Sequence, residues 1–269
     1  MTILVLGATG KTGRPLVSTL SARGVDVRPA TRATGFDWNT PATWDSALSG
    51  VDAVYLVETD QGGDPVADFS SRAAARGVRR VVLLSALSRD PVNTAMKRES
   101  ERAVAESGVA WTVLRPAWFV QNLTGLSFIA EPLATTGVLA LPCGDGREAF
   151  IDARDIAEVA ATALLDDGHA GQTYELTGPR AMSFGELVAE YAAATGKELR
   201  FEDIAEEQYA RQAAAAGFGA DEVALVLSLF REIRRSGGAP IMPDVARVLG
   251  RAPRDPAVWI GEQGASAAA

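Results

Sequence analysis

The strongest constraint on the fold is an apolar strand that runs directly into a glycine-rich turn at the beginning of the chain. Residues 3–6 are apolar, Gly7, Gly10 and Gly13 follow, and a helical pattern continues over 14–23. A strand, a tight turn and a helix N-terminus in this order form a cradle for phosphate, because the helix end presents unpaired N–H groups and a positive dipole end. The three-and-three spacing differs from the two-and-three spacing of the common dinucleotide fingerprint, so an ordinary tight turn remains an alternative at this point.

The remainder of the first half alternates short buried strands with helices. The pattern predicts six strands within about the first 115 residues, joined by short connections. Such an alternation requires a parallel sheet with right-handed crossovers. It therefore favours the phosphate cradle over the ordinary turn and predicts an α/β fold, a Rossmann-type doubly wound parallel sheet.

The pattern changes after Pro116, where helices become more frequent than strands. We predict a dinucleotide-binding domain at 1–155, with a returning helix and strand up to about residue 180. A smaller, mostly helical α/β region at 156–263 would bind the substrate. The small residues of 264–269 predict a disordered tail.

Serine or aspartate followed three residues later by glutamate predicts the start of two helices in this part of the chain. Asp155 with Glu158 and Ser183 with Glu186 both fit this capping box. We assign the acidic cluster around Asp155 to structure rather than catalysis. Further helices are predicted at 205–216, 221–235 and 243–249 from their apolar periodicity.

Composition excludes several functional classes. The net charge of −8 argues against nucleic acid as the main partner. The absence of a long apolar run or a charged leader predicts a cytoplasmic protein with no membrane contact. One cysteine, Cys143, excludes internal disulfides, and one histidine, His169, leaves too few ligands for a zinc site, so no metal is expected. The composition is compatible with either a monomer or a homodimer.

Residues after the second predicted strand indicate which dinucleotide the cradle would hold. An acidic residue at this strand end suits the ribose hydroxyl of NAD, whereas a basic residue suits the additional phosphate of NADP. Arg32 stands there, with Lys11 and Arg14 in the opening motif, and no acid is present. The sequence thus favours NADP, NADPH over NADH, with an ordinary exposed arginine as the alternative. Asp37 and Trp38 would either flank the adenine or serve as a helix cap and a core aromatic.

Several motifs together resemble one family. They are GATGKTG, FDW, AVYLV, VRRVVLLSA, SGVAWTVLRPAWFVQN and FIDARDIAEVAATAL. They are similar to the NmrA-like branch of the atypical short-chain dehydrogenases/reductases, and more narrowly to the bacterial relatives of ergot-alkaloid reductases, which reduce iminium intermediates. The similarity is clear up to about residue 180 and weak beyond it.

The resemblance implies a set of site residues. The cofactor would be bound by Gly7, Thr9, Gly10, Lys11, Thr12, Gly13, Arg32, Asp37, Trp38, Val57, Glu58, Ser85, Lys97 and Pro116. Ser85 and Lys97 would be the catalytic residues. Trp118, Phe119 and Asn122 would line the substrate pocket, with Leu225, Leu229 and Phe230 as further apolar walls.

The chain departs from the family at the proton donor. Classical members of the short-chain dehydrogenase/reductase superfamily place a tyrosine four residues before a lysine, and none of the four tyrosines here has a lysine at that distance. Lys97 aligns with the lysine, and Asn93 occupies the tyrosine position. An i, i+4 ion pair of Lys97 with Glu101 is an equally good interpretation of this lysine.

Without a tyrosine acid, the favoured function is reduction of an electrophilic small molecule, such as an iminium ion, an activated C=C bond or a quinone. These substrates demand less acid catalysis than a ketone does. The alternatives are a non-catalytic NADP(H) sensor and a pathway isomerase or cyclase on the same scaffold.

Overall fold

The computed structural model describes residues 1–57 and 63–267, with only the backbone at positions 92, 93, 96 and 267. The strands are β1 (Thr2–Leu6), β2 (Asp26–Ala30), β3 (Ala53–Val57), β4 (Arg80–Leu84), β5 (Ala110–Pro116), β6 (Val138–Leu141), β7 (Arg147–Glu148), β8 (Gln172–Leu176), β9 (Met182–Ser183) and β10 (Arg200–Asp203). The helices are α1 (Gly13–Ala22), α2 (Trp44–Leu48), α3 (Gly63–Ala75), α4 (Pro91–Ala105), α5 (Asn122–Gly125), α6 (Ser127–Thr135), α7 (Ala153–Leu165), α8 (Phe184–Thr195), α9 (Glu206–Ala215), α10 (Ala220–Arg234), α11 (Asp244–Leu249) and α12 (Pro256–Ala267).

Six parallel strands form the central sheet in the order β2-β1-β3-β4-β5-β8. The chain leaves β1 in one direction to reach β2 and returns to the other side of β1 for β3, so the order reverses between β1 and β3. In an open parallel sheet, ligands bind at the carboxyl ends of the strands beside such a reversal. The predicted Rossmann-type doubly wound fold is confirmed, and it places the glycine turn at this point.

The predicted distribution of strands was wrong in one respect. Only five strands of the sheet, β1 to β5, lie within the first 116 residues, and the sixth, β8, is contributed by Gln172–Leu176. The periodicity of the early segments does not show how many later segments return to the same sheet. Pairing with β5, from Thr112 opposite Gln172 to Pro116 opposite Leu176, decides that membership.

Helices cover both faces of the sheet because its central strands are apolar on both sides. Residues 3–6 of β1, 53–56 of β3 and 81–83 of β4 are buried. On one face α1, α7 and α11 enclose one core, and on the other α2, α3 and α4 enclose a second. We call this assembly the sheet body.

A third core lies beside the carboxyl edge of the sheet. It joins residues 120–150 with residues 182–260, around Phe150, Phe184 and Phe230. Two short sheets belong to it, β6 with β10 and β7 with β9. We call α5, α6, α8 to α10, α12 and these strands the second body.

Residues from near 118 already pack in the second body, before the predicted boundary between residues 155 and 156. The helix α7 and the strand β8 lie in the sheet body, where a returning helix and strand were expected up to about residue 180. The division into a cofactor domain and a substrate region stays a prediction. The predicted disordered tail was wrong over 264–267, because α12 extends to Ala267 and Gly264 packs against the Ala194 carbonyl of α8. Residues 268–269 lie outside the described part.

One of the two predicted capping boxes is present. The Ser183 hydroxyl accepts from the Glu186 N–H, and the Glu186 carboxylate accepts from the Ser183 N–H, as expected for α8. The box at Asp155 was wrong, because α7 begins two residues earlier with Asp152 as its N-cap. The Asp155 and Glu158 carboxylates instead bind Arg251 and Arg254, beyond the reach of any local pattern.

Candidate functional site

The glycine turn between β1 and α1 is shaped by three different requirements. Gly7 adopts a φ of +63°, a conformation that a side chain disfavours. A Cβ at Gly13 would lie 2.1 Å from the Gly7 carbonyl oxygen, and one at Gly10 would lie 3.1 Å from the same atom. The first glycine thus makes the turn, and the third allows α1 to pack on the end of β1. The result is a loop of bare backbone at the N-terminus of a helix, which suits a pyrophosphate.

Thr12 supports this turn through its buried side chain. Its side chain is buried, and the Tyr55 hydroxyl of β3 donates to its Oγ1 at 3.0 Å. Burial raises the pKa of Tyr55, so this phenol stays protonated. The hydroxyl of Thr12 therefore braces the turn, while its backbone remains on the ligand side.

Lys11, Arg14 and Arg32 bring positive charge to the turn. Among the residues described, none of the three forms an ion pair with a carboxylate, although most arginines elsewhere in the described chain do. Arg14 only donates to the Thr9 carbonyl, at 3.3 Å. Half-burial lowers the pKa of Lys11. In a chain of net charge −8, cations that have no carboxylate partner among the described residues fit an anionic ligand.

A cleft of about 470 Å³ opens beside this turn. Thr9, Gly10, Lys11 and Arg14 form one wall, and Gln121, Arg154, Trp259 and Glu262 belong to the lining from other segments. The Lys11 side chain crosses towards α5, where a Cβ at Gly125 would lie 2.6 Å from its Cε. The second body and α7 thus contribute to the surroundings of the predicted phosphate site.

Sequence reasoning missed these partners because their signals are not local. Gln121 donates to Asp152 at 2.9 Å and accepts from the Ala153 N–H at 2.9 Å, which fixes it at the start of α7. Arg154 bridges Asp152 and Glu262 of α12. The run Asp152-Ala153-Arg154 within the family motif was the available sign, and it was interpreted only as part of a helix cap.

Arg32 lies two residues after the end of β2 and opens a single 3₁₀ turn, Arg32–Thr34, capped by Thr31. This places it at the carboxyl end of β2, the strand next to β1, where the 2′-phosphate prediction requires a cation. Asp37 accepts from the Asn39 N–H at 2.9 Å, so it caps a turn. Trp38 is partly buried and packs edge-on against Phe36 and Trp44. The geometry of both residues fits the structural alternative, and contact with adenine stays a prediction.

Val57 ends β3 next to the glycine turn. Its Cγ2 would lie 3.5 Å from a Cβ at Gly7, so the two strand ends that flank the reversal are in contact. Glu58, the next predicted cofactor residue, lies outside the described residues.

Ser85 lies at the carboxyl end of β4, but its hydroxyl donates to Glu101 of α4 at 2.8 Å. The Glu101 carboxylate also accepts from Arg115 at 2.8 and 2.5 Å and from Arg98 at 2.5 Å. Burial raises the pKa of Glu101, and the hydrogen bond from Ser85 and the charge of Arg98 oppose that shift. Ser85 thus hydrogen-bonds to a buried polar cluster, and its predicted catalytic role stays a prediction.

Lys97 lies on α4 one turn before Glu101. Burial lowers its pKa, and the charge of Glu101 opposes that shift. The electrostatic coupling expected of an i, i+4 pair is therefore present, while a role towards the nicotinamide ribose stays a prediction. Asn93 lies on the same helix, and its side chain is outside the described part.

The predicted substrate residues gather at the carboxyl ends of β4 and β5. Pro116 is buried, and Trp118 and Phe119 are partly buried, with Trp118 edge-on to Phe184 of α8. Phe119 packs against the sheet body, and its backbone pairs with Ile151. Asn122 begins α5, one turn from the Lys11 side chain over Gly125. These residues occupy the junction of the two bodies.

The three residues predicted as further apolar walls differ in burial. Phe230 is fully buried against Phe128 and Tyr209, Leu229 is partly buried, and Leu225 is exposed. That these three residues line the substrate pocket stays a prediction.

All four tyrosines have assigned surroundings, and none lies at the predicted nicotinamide side. Tyr55 bonds to Thr12, Tyr174 to His169, Tyr191 stacks on Trp259, and Tyr209 packs against Phe230. Reduction without a Tyr-x-x-x-Lys relay stays a prediction.

Two negative findings concern other classes of site. Across 1–57 and 63–267, no cluster of histidine, cysteine, aspartate and glutamate side chains could hold a metal ion. No helix within the same ranges has the length and apolarity needed to cross a membrane.

A second cleft, of about 500 Å³, lies along α4 and β5 and shares no residue with the glycine turn.

Comparison with known proteins agrees with this geometry. Residues 7–167 match the model of a family described as NAD(P)H-binding. The chain is 35% identical to a (4-alkanoyl-5-oxo-2,5-dihydrofuran-3-yl)methyl phosphate reductase of Streptomyces griseus, over 97% of each chain. It is 28% identical to the agroclavine dehydrogenase of Claviceps fusiformis, also over 97% of each. An NADPH-dependent quinone oxidoreductase of Escherichia coli, solved with NADPH, superposes with a TM-score of 0.76 at 23% identity, covering 97% of this chain and 99% of that one.

The fold and the glycine turn define a nicotinamide-dinucleotide-binding protein. The chain belongs to the NAD(P)H-binding family, and its similarity to a clavine dehydrogenase confirms the resemblance to ergot-alkaloid reductases that the sequence indicated. It is an NAD(P)H-dependent oxidoreductase.

Proposed function

We propose that this protein is an NADPH-dependent reductase of electrophilic small molecules, in which binding and orientation supply most of the catalysis. The observation that carries the proposal is the glycine turn with three cations that have no carboxylate partner among the described residues, combined with the absence of a tyrosine acid. The turn fits a dinucleotide, and no tyrosine of the sequence stands four residues before a lysine, the arrangement that supplies the acid in a ketone reductase.

Different residues would bind different parts of the cofactor. The backbone of 7–13 would hold the pyrophosphate, with Lys11 and Arg14 as counter-charges, and Arg32 would bind the 2′-phosphate that distinguishes NADPH from NADH. Val57, Ser85 and Pro116 would border the nicotinamide half. When bound, the nicotinamide supplies a hydride; the protein supplies position and exclusion of water.

The substrate would lie over the carboxyl ends of β4 and β5. Trp118 and Phe119 offer apolar surface there, which suits a flat conjugated acceptor. An activated C=C bond, an iminium ion or a quinone accepts hydride without leaving the strongly basic alkoxide that a ketone leaves. The relatives support this range, since the name of the Streptomyces griseus reductase describes a ring alkene conjugated to carbonyl groups.

The test is an NADPH-oxidation screen on the purified protein after its affinity for NADPH has been measured by fluorescence titration. The panel contains a butenolide with a conjugated double bond, a cyclic iminium ion and a quinone, with a simple ketone as the control. We expect oxidation with at least one electrophile and none with the ketone. Tight NADPH binding without turnover of any electrophile would contradict the proposal and favour a dinucleotide sensor, and turnover without net NADPH consumption would favour an isomerase or cyclase.

A further inference from the structure

Two buried carboxyl groups lie together at the junction of the two bodies, outside every predicted site. Glu148 belongs to β7 and Glu232 to α10, and their exposed fractions are 3% and 8%. They flank two consecutive glycines. A Cβ at Gly238 would lie 1.9 Å from Glu148 Oε2, and a Cβ at Gly237 would lie 2.8 Å from Glu232 Cγ. Because neighbouring Cα atoms are about 3.8 Å apart, the two side chains share one short stretch of backbone. We call Glu148 and Glu232 the acid pair.

One member of the acid pair reaches the carboxyl edge of the sheet. Glu232 Oε2 accepts from the Ser88 hydroxyl at 2.7 Å and from the Asp90 N–H at 3.3 Å, and its Oε1 accepts from the Arg89 N–H. Residues 88–90 connect β4 to α4, so they lie between Ser85 and Lys97 in the chain. Glu232 therefore ties the second body to the segment that borders the predicted nicotinamide side.

Ser88 is the partner of Glu232 that lies towards the carboxyl edge of the sheet. The preceding residue, Leu87, donates its N–H to the Pro116 carbonyl at 2.9 Å, which extends the pairing of β4 and β5 past their ends. Ser88 itself is partly exposed. Its hydroxyl thus links the buried acid pair to the edge where Trp118 and Phe119 lie.

The other member has the environment of a neutral acid. Glu148 receives a backbone hydrogen bond from Gly238, and no ion pair between Glu148 and a cation exists among the described residues. The neighbouring arginines do not neutralise a charge on Glu148, because Arg89 donates to the Gly237 carbonyl and Arg147 binds Glu186. Burial and the negative charge of Glu232 raise the pKa of Glu148 to about 8. At pH 7 it carries its proton.

We propose that the acid pair is the proton source of the reaction, holding one proton and supplying it through the Ser88 hydroxyl to the substrate. The inference rests on the proposed function and narrows its substrate class. It assigns the task of the missing tyrosine to residues that are 144 positions apart, Ser88 and Glu232.

The balance of the reaction shows why this narrows the substrate. In an activated C=C bond, one carbon receives a hydride with its two electrons, and the displaced π pair makes the other carbon basic. Ser88 gives its hydroxyl proton to that carbon, while the proton held by Glu148 passes to Glu232 and from Glu232 to Ser88, so that both members of the acid pair are left ionised. One proton taken up from solvent then restores Glu148. An iminium ion or a triarylmethane cation needs the hydride alone. A proton source therefore indicates an activated C=C bond rather than an iminium ion.

The test compares the two substrate classes in Glu148→Gln, a variant with the shape of the protonated acid. The acceptors are a butenolide, which needs hydride and proton, and a cyclic iminium ion or a cationic triarylmethane dye, which need hydride only. We expect kcat for the butenolide to fall at least about 30-fold, since a positioned acid contributes about 10²–10⁴-fold, and kcat for the hydride-only acceptors to stay within about twofold. Glu131→Gln, at an exposed glutamate of α6, is the matched control and should change neither.

A loss that is equal for both classes, or no loss for the butenolide, would overturn the proton-source role while leaving the proposed function in place. Failure of the wild type to oxidise NADPH with any acceptor would instead overturn the proposed function, and the proton-transfer role with it.

A second readout does not need turnover. The infrared difference between the wild type and Glu148→Gln at pH 7 should contain the C=O stretch of a neutral carboxylic acid, and this band should disappear above about pH 9. A difference spectrum with only carboxylate bands would contradict the proposal whatever the kinetics show.

Discussion

The candidate site of the sheet body comes from one continuous stretch of chain, whereas that of the second body comes from distant segments. In the sheet body, the predicted pyrophosphate site is made by seven consecutive residues, Gly7 to Gly13, between a buried strand and a helix. In the second body, Glu148 of β7 and Glu232 of α10 meet beside a glycine dipeptide. Glu232 accepts hydrogen bonds from a segment about 140 residues earlier in the chain. The first site is local in sequence, and the second exists only after assembly.

Different forces stabilise the sheet body and the attachment of the C-terminal segment to it. The sheet body depends on apolar strands covered on both faces. The C-terminal segment that completes the second body is fastened to α7 by ion pairs, in which Arg251 and Arg254 bind Asp155 and Glu158. Asp155 is fully buried.

The largest effect is expected from Gly13→Ala in the sheet body. The added Cβ would stand 2.1 Å from the Gly7 carbonyl oxygen, against backbone that cannot move aside cheaply. We expect a loss of about 3 kcal/mol or more in the free energy of unfolding and at least about 100-fold weaker NADPH binding. Urea denaturation and fluorescence titration measure both.

The matched control for that variant is Gly261→Ala in α12 of the second body. Its Cβ would meet no atom within 4 Å, so the change should stabilise by about 0.5–1 kcal/mol through helix propensity and leave NADPH affinity unchanged. If Gly13→Ala behaved like its control, the packing role assigned to the third glycine of the motif would be wrong.

The next largest effect concerns the attachment of the C-terminal segment. Arg254→Ala removes one of two cations from the fully buried Asp155 and should cost about 3 kcal/mol of stability, with NADPH affinity preserved. The control is Arg200→Ala, which breaks an exposed pair with Glu202 and should cost no more than about 0.5 kcal/mol. Equal effects in urea denaturation would mean that the Asp155 contacts do not hold the segment.

A pH-dependent effect is expected at Glu148. Its pKa is raised from 4.5 to about 8, so the native state binds the proton more tightly than the unfolded chain. Its contribution to stability is fully present below about pH 4.5, falls as the pH rises and is lost by about pH 8. Between about pH 6 and pH 8, the unfolding free energy of Glu148→Gln should gain about 2 kcal/mol relative to the wild type. A pH-independent difference between the two proteins would contradict the shift.

The smallest effect, and the most selective, is expected at Arg32. Arg32→Asp should weaken NADPH by about 30-fold, about 2 kcal/mol, and leave NADH unchanged or slightly improved, because only NADPH carries the 2′-phosphate. Arg23→Asp makes the same charge change at an exposed position past the end of α1 and serves as the control. If both cofactors weakened alike, Arg32 would not read the 2′-phosphate.

Much of the fold was predictable where its signals are short-range. The strand before Gly7, the apolar runs of β3 and β4 and the Ser183–Glu186 cap each fall within a few residues, where backbone preference and burial act directly. The same reasoning failed where a local pattern had a distant partner. Asp155 resembles a helix cap in sequence, yet Arg251 and Arg254 occupy its carboxylate.

The candidate site divides along the same line. By itself the sequence determined the glycine turn, the cations around it and the lack of a tyrosine four residues before a lysine, because each is fixed by residue type and spacing. Tertiary structure alone decided that the Ser85 hydroxyl binds Glu101, that β8 completes the sheet and that Glu148 and Glu232 meet beside Gly237 and Gly238. The physical reason is that burial, hydrogen bonding and charge proximity belong to the packed chain, and they set the protonation and availability of a side chain only after distant segments have come together.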